Sequence, residues 1–250
     1  MNVFEEINKF SHIRFYDHNH SYKCLDTGKK YTSVTTYKKK FIKPFPAKFW
    51  LGKKSKELGI TVKELQAEWD YKRILGTTRG TITHNYNEQL WQNKVFKQQA
   101  DLSFLKGDTK EFFESIITLR DYSNNFYNDY RKDLSLVRAE LVVGDDDINI
   151  AGQVDGLFYM NGKYILLDYK TDKKFEMSSK YKMVGKLKHL DDCQFTQYSL
   201  QTSMYKYIIE KNTNIKIDEI WVVWLNADLN TNYKLMKLPY LKEIDNLWQK

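Results

Sequence analysis

Two aspartates and a lysine stand at fixed steps from a tight turn. Asn161-Gly162 is a strong two-residue hairpin signal. With that dipeptide as the loop, Met160 pairs with Lys163. Counting outward, Asp155 falls opposite Asp168 and Gln153 opposite Lys170. The two-residue period of a strand then puts Asp155, Asp168 and Lys170 on one face of the sheet. Val154, Phe158, Ile165 and Leu167 form a core face on the other. Opposed carboxylates repel and weaken a hairpin. A divalent cation offsets that repulsion, since Mg²⁺ takes one or two protein carboxylates and keeps several waters. If Val143 pairs with Ile148 across the GDDD turn, Glu140 lies opposite Ala151 and shares the face of Gln153 and Asp155. Asp145, Asp146 and Asp147 read as an ordinary acidic turn. Beside a metal, Lys170 has two roles open to it: stabilising charge on a phosphate, or orienting and deprotonating an attacking water.

The elements that must position these groups follow from local patterning. Residues 14–35 predict a hairpin around DTGKK. A helix is predicted over about 48–58, ending at Gly59. Thr61 and Glu64 form a capping box that opens a second helix, expected to stop near Gly76, with a further helix around 79–93. Residues 108–131 carry Phe112, Phe113, Ile116, Ile117 and Leu119 at helical spacing. The period then changes to strands at 136–143, 148–160 and 163–170. A helix is predicted over 195–210, strands over 219–226 and 232–238, and a short helix from about 241. The stretch 173–188 lacks periodicity and reads as a mobile loop over the site. Together these predict one α/β domain spanning 1–250, with a hairpin and helical elaboration over 1–130 and a catalytic core over 135–250.

Composition bounds the chemistry. The chain has 250 residues, 42% of them hydrophobic, and a formal net charge of +8, which favours polyanionic partners. Its two cysteines, Cys24 and Cys193, are too few for a four-thiolate zinc or iron–sulfur site and read as reduced thiols. The N-terminal residues lack the pattern of a signal peptide, and no run reaches the length of a membrane span. The expected setting is the cytoplasm. Lys38, Lys39, Lys40, Lys53, Lys54 and Arg79 are candidates to follow a nucleic-acid backbone. Phe45, Phe49, Trp50 and Trp69 are expected mostly in the core, with base stacking as the alternative.

The run AGQVDG followed by LLDYKT resembles the active-site core of the PD-(D/E)XK nuclease superfamily, with Asp155 and Asp168-Tyr169-Lys170 at the motif positions. Val154 stands where the superfamily name has proline. The likeness is to the RecB-like branch. GTTRGTITHNYNE matches its upstream histidine motif at His84, Glu140 its additional acidic residue, and LQTSMYKYIIE its Gln-x-x-x-Tyr motif through Gln201 and Tyr205. YTSVTT and the aromatic segment after it resemble phage and mitochondrial exonucleases of that branch. The resemblance covers about residues 30–210. It implies a restriction-endonuclease-like fold, a central mixed sheet flanked by helices. It implies Mg²⁺ or Mn²⁺ held by His84, Glu140, Asp155 and Asp168, with the Tyr169 carbonyl as a further ligand. Catalysis would fall to His84, Glu140, Asp155, Asp168, Lys170, Gln201 and Tyr205. No iron–sulfur cluster is expected. The implied substrate is DNA, single-stranded or with free ends, in replication, recombination or repair, with proteins of replication or recombination as partners. In a phage-encoded case the setting is the host cytoplasm.

Overall fold

The computed structural model describes residues 2–228 and 232–248. Eight strands form one mixed sheet: β1 (Ile13–Tyr16), β2 (Ser21–Cys24), β3 (Lys30–Ser33), β4 (Ser135–Asp145), β5 (Ile150–Met160), β6 (Lys163–Lys170), β7 (Ile217–Trp224) and β8 (Lys234–Leu238). The helices are α1 (Val3–Asn8), α2 (Val34–Lys38), α3 (Ala47–Leu58), α4 (Val62–Trp91), α5 (Lys110–Tyr130) and α6 (Gln194–Asn212). The short helix expected from about 241 is present as a 3-10 helix over Lys242–Asn246. The architecture is a mixed α/β sheet flanked by helices, and the hairpin at the N-terminus joins the same sheet through β3.

Pairing around β5 decides where the site forms. β4 pairs antiparallel with β5 from Ser135↔Tyr159 to Asp145↔Ile150. The other edge of β5 is therefore divided: β3 runs parallel to it at Ile150 and Ala151, and β6 pairs antiparallel from Gly156↔Leu167 to Met160↔Lys163. Between these stretches the sheet forks. The Asn161-Gly162 turn has φ of 50° and 82°, as the hairpin reading requires, and the predicted register holds along its whole paired length. The register expected across the acidic turn does not hold. Val143 pairs with Gly152 rather than Ile148, because β4 continues to Asp145 and the turn lies at 146–149. Asp145 is buried. It accepts hydrogen bonds from the N–H groups of Asp147 and Ile148 and from Asn212, and pairs with Lys211 at 2.7 Å.

Both faces of the sheet are covered, so the expected division into a polar face and a core face gives way to two cores. Leu157, Leu166 and Val222 pack with Leu200, Met204 and Ile208 of α6. Phe158, Ile165, Leu167 and Trp221 pack with Phe126 of α5 and Trp91 of α4. Val154 joins the first group, not Phe158 as strict alternation predicts. On α5, Phe112, Ile116 and Leu119 are buried, whereas Phe113 and Ile117 are exposed. Residues 173–188 are tied down: Met183 and Leu187 lie in the α6 core, and the Val184 N–H donates to Phe41 O at 2.8 Å.

α3 ends on Gly59 at φ 67°, and the Thr61–Glu64 capping box opens α4, both as the residues predict. Gly76 does not end that helix. α4 runs 30 residues without a break. Glycine keeps its N–H, so a single one weakens a helix without removing a ladder bond. A Cβ at Gly76 meets nothing within 4 Å. Gly76→Ala is therefore expected to raise stability by about 0.5–1 kcal/mol in urea unfolding. A loss would show that the helix is bent there.

Glu219 on β7 accepts a hydrogen bond from Trp221 and pairs with Lys163 and Lys237. Lys237, Trp221 and Lys163 hold its carboxyl down to about 2. A depressed carboxyl contributes stability above its unfolded value near 4.5, and that contribution disappears as pH falls toward 2. Because Lys163 and Lys237 are mostly exposed and screened by solvent, Glu219→Gln should cost about 1 kcal/mol at neutral pH. The gap from the parent should close in urea titrations run through this acid window. A constant gap would show that the pairs contribute nothing through charge.

Candidate active site

Helix α4 carries His84 to the mouth of the fork. Two turns further on, on the same face, Trp91 donates from Nε1 to the Tyr169 hydroxyl at 2.8 Å and fixes the helix against β6. Asn87 donates to Ser123 of α5 at 3.0 Å, a second tie among buried groups. These bonds set His84 Nδ1 at 3.2 Å from Asp155 Oδ2. Asp155 lies one residue beyond the last β5–β6 pair, and its Oδ2 accepts the Tyr169 N–H at 2.7 Å. Glu140 sits between the Ala139↔Gly156 and Leu141↔Val154 pairs, level with Asp155, at φ 47°. Its backbone thus takes a left-handed conformation that is costly for glutamate and is found at functional sites. The structure brings Glu140 to Asp155 as the sequence reading wanted, but by a register four residues away from the predicted one.

One donor atom from each of His84, Glu140 and Asp155 lies within 4.8 Å of the others. Burial and the Asp155 charge push the Glu140 carboxyl up to about 8. Burial also raises Asp155, but the adjacent His84, Lys170 and the Tyr169 N–H outweigh it and hold Asp155 below the usual carboxylate range. Burial opposes charge on His84, yet Asp155 raises it to about 9. One imidazole and two carboxylates in reach of each other suit Mg²⁺ or Mn²⁺, and the raised Glu140 marks a local excess of negative charge that such an ion offsets. The residues present therefore fit a divalent metal. Asp168 is set slightly apart, in an ion pair with Lys170, with side chains 3% and 15% exposed. Burial raises Asp168 overall, and Asp168 and Asp155 keep Lys170 above its ordinary value.

Gln201 and Tyr205 meet on α6, where Gln201 Nε2 lies 3.4 Å from the Tyr205 hydroxyl. Both are buried. The Tyr205 ring fills the fork over Gly152, beside Val34. Gln197, one turn before Gln201, donates to Asp192 at 2.7 Å. Glu88, one turn after His84, accepts from Gln92 at 3.3 Å. The sequence reading placed Lys38 only in a basic run. The structure buries it and directs its Nζ to Gln201 Oε1 at 2.8 Å. Burial and Lys170 bring Lys38 down to about 8. Lys38 and Lys170 stand 5.6 and 5.1 Å from the Tyr198 ring centre, and Tyr198 donates to Asp172. The signal for Lys38 was its place at the end of a short helix directly after a strand. Its weight depended on the parallel β3–β5 pairing, which no local pattern reveals.

No family model matches the chain. Over 167 residues, 58% of this chain, it is 28% identical to an ATP-dependent helicase/nuclease subunit of Exiguobacterium sibiricum, and covers only 14% of that protein. Among solved structures, an exonuclease candidate from Eubacterium rectale superposes with a TM-score of 0.42 and 13% identity over 70% of this chain and 64% of that one. The protein SSO0001 superposes at 0.29 with 10% identity, over 68% and 81% of the two chains.

A Cβ at Gly152 would overlap the Tyr205 ring and approach Val34 Cγ2 at 3.1 Å. Gly152→Ala is expected to destabilise by about 1–3 kcal/mol through overpacking. Urea unfolding measures this, and a neutral result would mean that Tyr205 yields easily. The chain is a distant relative of one part of a helicase/nuclease protein.

Proposed function

We propose that this chain is a metal-dependent deoxyribonuclease of the RecB-like PD-(D/E)XK kind, hydrolysing phosphodiester bonds as an exonuclease on single-stranded DNA or DNA ends. The observation that carries the reading is the convergence of His84, Glu140 and Asp155 beside the Asp168–Lys170 pair, at the positions where the sequence resembles that superfamily. The relation to a helicase/nuclease protein supports nuclease chemistry in general.

His84, Glu140 and Asp155 would hold the ion, with Asp168 and the Tyr169 carbonyl as further ligands. When bound, a divalent cation polarises the phosphate and lowers the pKa of an attacking water. Lys170, kept charged by Asp168 and Asp155, stabilises negative charge developing on the phosphate. Asp168 holds that ammonium in place. Tyr205 braces the fork, and Gln201 orients Lys38, which adds a second cation on the α6 side. The +8 charge raises the local concentration of a polyanionic substrate.

End-labelled linear single-stranded DNA should be degraded with Mg²⁺ or Mn²⁺ and left intact in EDTA. Lys170→Ala should lose roughly 10²–10³-fold in rate, and a covalently closed single-stranded circle should be spared. Cutting of the circle would make the protein an endonuclease. Binding without cleavage of either substrate would replace catalysis with a DNA-binding role.

A further inference from the structure

We infer that the groove between α4 and the segment leading into α5 receives one unpaired nucleic-acid strand and delivers it to His84, with Arg79 meeting a backbone phosphate; this rests on the nuclease reading above. The groove has a volume of about 1010 Å³. Lys72, Arg73, Gly76, Arg79 and Gly80 form one wall, Lys106 stands on the other, and Lys173 lies at the end next to the catalytic strand. A cleft of this size sits at the upper end of the ~300–1,000 Å³ range of small-ligand sites. It admits a few unpaired nucleotides.

Helical spacing gives the groove a direction. Trp69, Arg73, Gly76, Gly80 and His84 recur every three or four residues and share a face of α4. From Trp69 to His84 that face is roughly 22 Å long, enough for about six phosphates at the ~3.4 Å spacing of a stacked strand. At the far end Trp69 meets Phe45, with ring centres 6.2 Å apart, and Phe45 is 65% exposed. An exposed phenylalanine backed by a half-buried tryptophan, beside a basic groove, offers a surface on which an unpaired base can stack. The two glycines leave the wall without side chains: a Cβ meets nothing at Gly76 and only Thr171 Oγ1, at 3.4 Å, at Gly80.

The charges along the groove are not equivalent. Lys72 pairs with Glu68, Arg73 with Asp70 and Lys173 with Asp228. Of the acidic residues on the walls, Asp108 accepts from the Lys110 N–H, Asp172 accepts from Tyr198, and Glu111 is exposed to solvent. Arg79 has no ion pair among the described residues, and its enclosed Nε makes no hydrogen bond. Arg79 lines the groove, and its other guanidinium N–H groups are donors that a phosphate oxygen can engage in the geometry arginine favours. Arg79 stands five residues before His84, between Gly76 and Gly80 on the same helix, and lines the groove with them.

The test measures binding of a short fluorescein-labelled oligothymidine by anisotropy in EDTA, across salt concentrations, with Mn²⁺ affinity measured in parallel. Arg79→Ala should weaken binding about 5-fold and flatten the slope of log K against log salt by ~0.7, the value of one phosphate contact on a single strand. Gly76→Phe, whose side chain enters the groove, should weaken it at least ~10-fold. Both variants should bind Mn²⁺ like the parent. Parent-like oligothymidine binding by both variants would overturn the groove and leave the nuclease reading standing. If Gly76→Phe unfolds, Arg79→Ala alone decides by the same criterion. A parent protein that neither binds nor cleaves single strands would overturn the nuclease reading and the groove with it.

Discussion

Strand β5 gives its whole length on one edge to β4, so β3 and β6 must divide the other edge between them. Neither covers residues 152–155, and backbone groups exposed in a sheet interior have to be met by something else. The protein meets this need with side chains. Asp155 turns its carboxylate onto the Tyr169 N–H, where a continued ladder would have offered a backbone carbonyl. Tyr205 lays its ring over Gly152, and α2 brings Val34 against the same glycine. The carboxylate that closes the fork is thereby held in one orientation, facing His84. Geometry that satisfies the sheet also prepares the cluster.

The electrostatics follow from burial at that fork. Glu140, Asp155 and Asp168 lie together with His84, Lys170 and Lys38, all of them at least partly withdrawn from water. Charges of one sign in such a place are costly unless neutralised, and the protein interleaves the two signs. The balance is uneven. Asp168 and Lys170 pair directly, and His84 pairs with Asp155, which leaves Glu140 without an ion pair of its own among the described residues and its carboxyl pushed up to about 8. Its left-handed backbone adds conformational cost at the same residue.

What could be read from the residues alone was what local chemistry dictates. Asn161-Gly162 set the β5–β6 register because two consecutive positive φ values leave few other turns, and that register holds to Gly156↔Leu167, one step short of the expected Asp155↔Asp168 pair. The Thr61–Glu64 box and Gly59 marked helix ends for a similarly local reason. The reading failed where a choice is made by distant parts of the chain. The β4 register depended on how far the strand runs into GDDD. That is decided by Lys211 and Asn212 on α6, which draw Asp145 into the interior. Gly76 looked like a stop, and the helix runs on through it because its neighbours Leu75 and Ile82 pack with Phe112 and Ile116 of α5. Lys38 was one of three adjacent lysines until β3 carried it beneath Gln201.

Helix α4 is fastened near its C-terminal end, at Trp91 and Asn87, and runs about 45 Å from end to end. Its N-terminal half is held as well, by α3, by the buried Leu65 and by Tyr71, whose hydroxyl donates to Lys106 O at 3.3 Å. A beam anchored along its length resists tilting, so a load applied near Trp69 is spread over several supports before it reaches His84. A metal-reaching histidine and an outlying surface can then share one helix without the second spoiling the aim of the first.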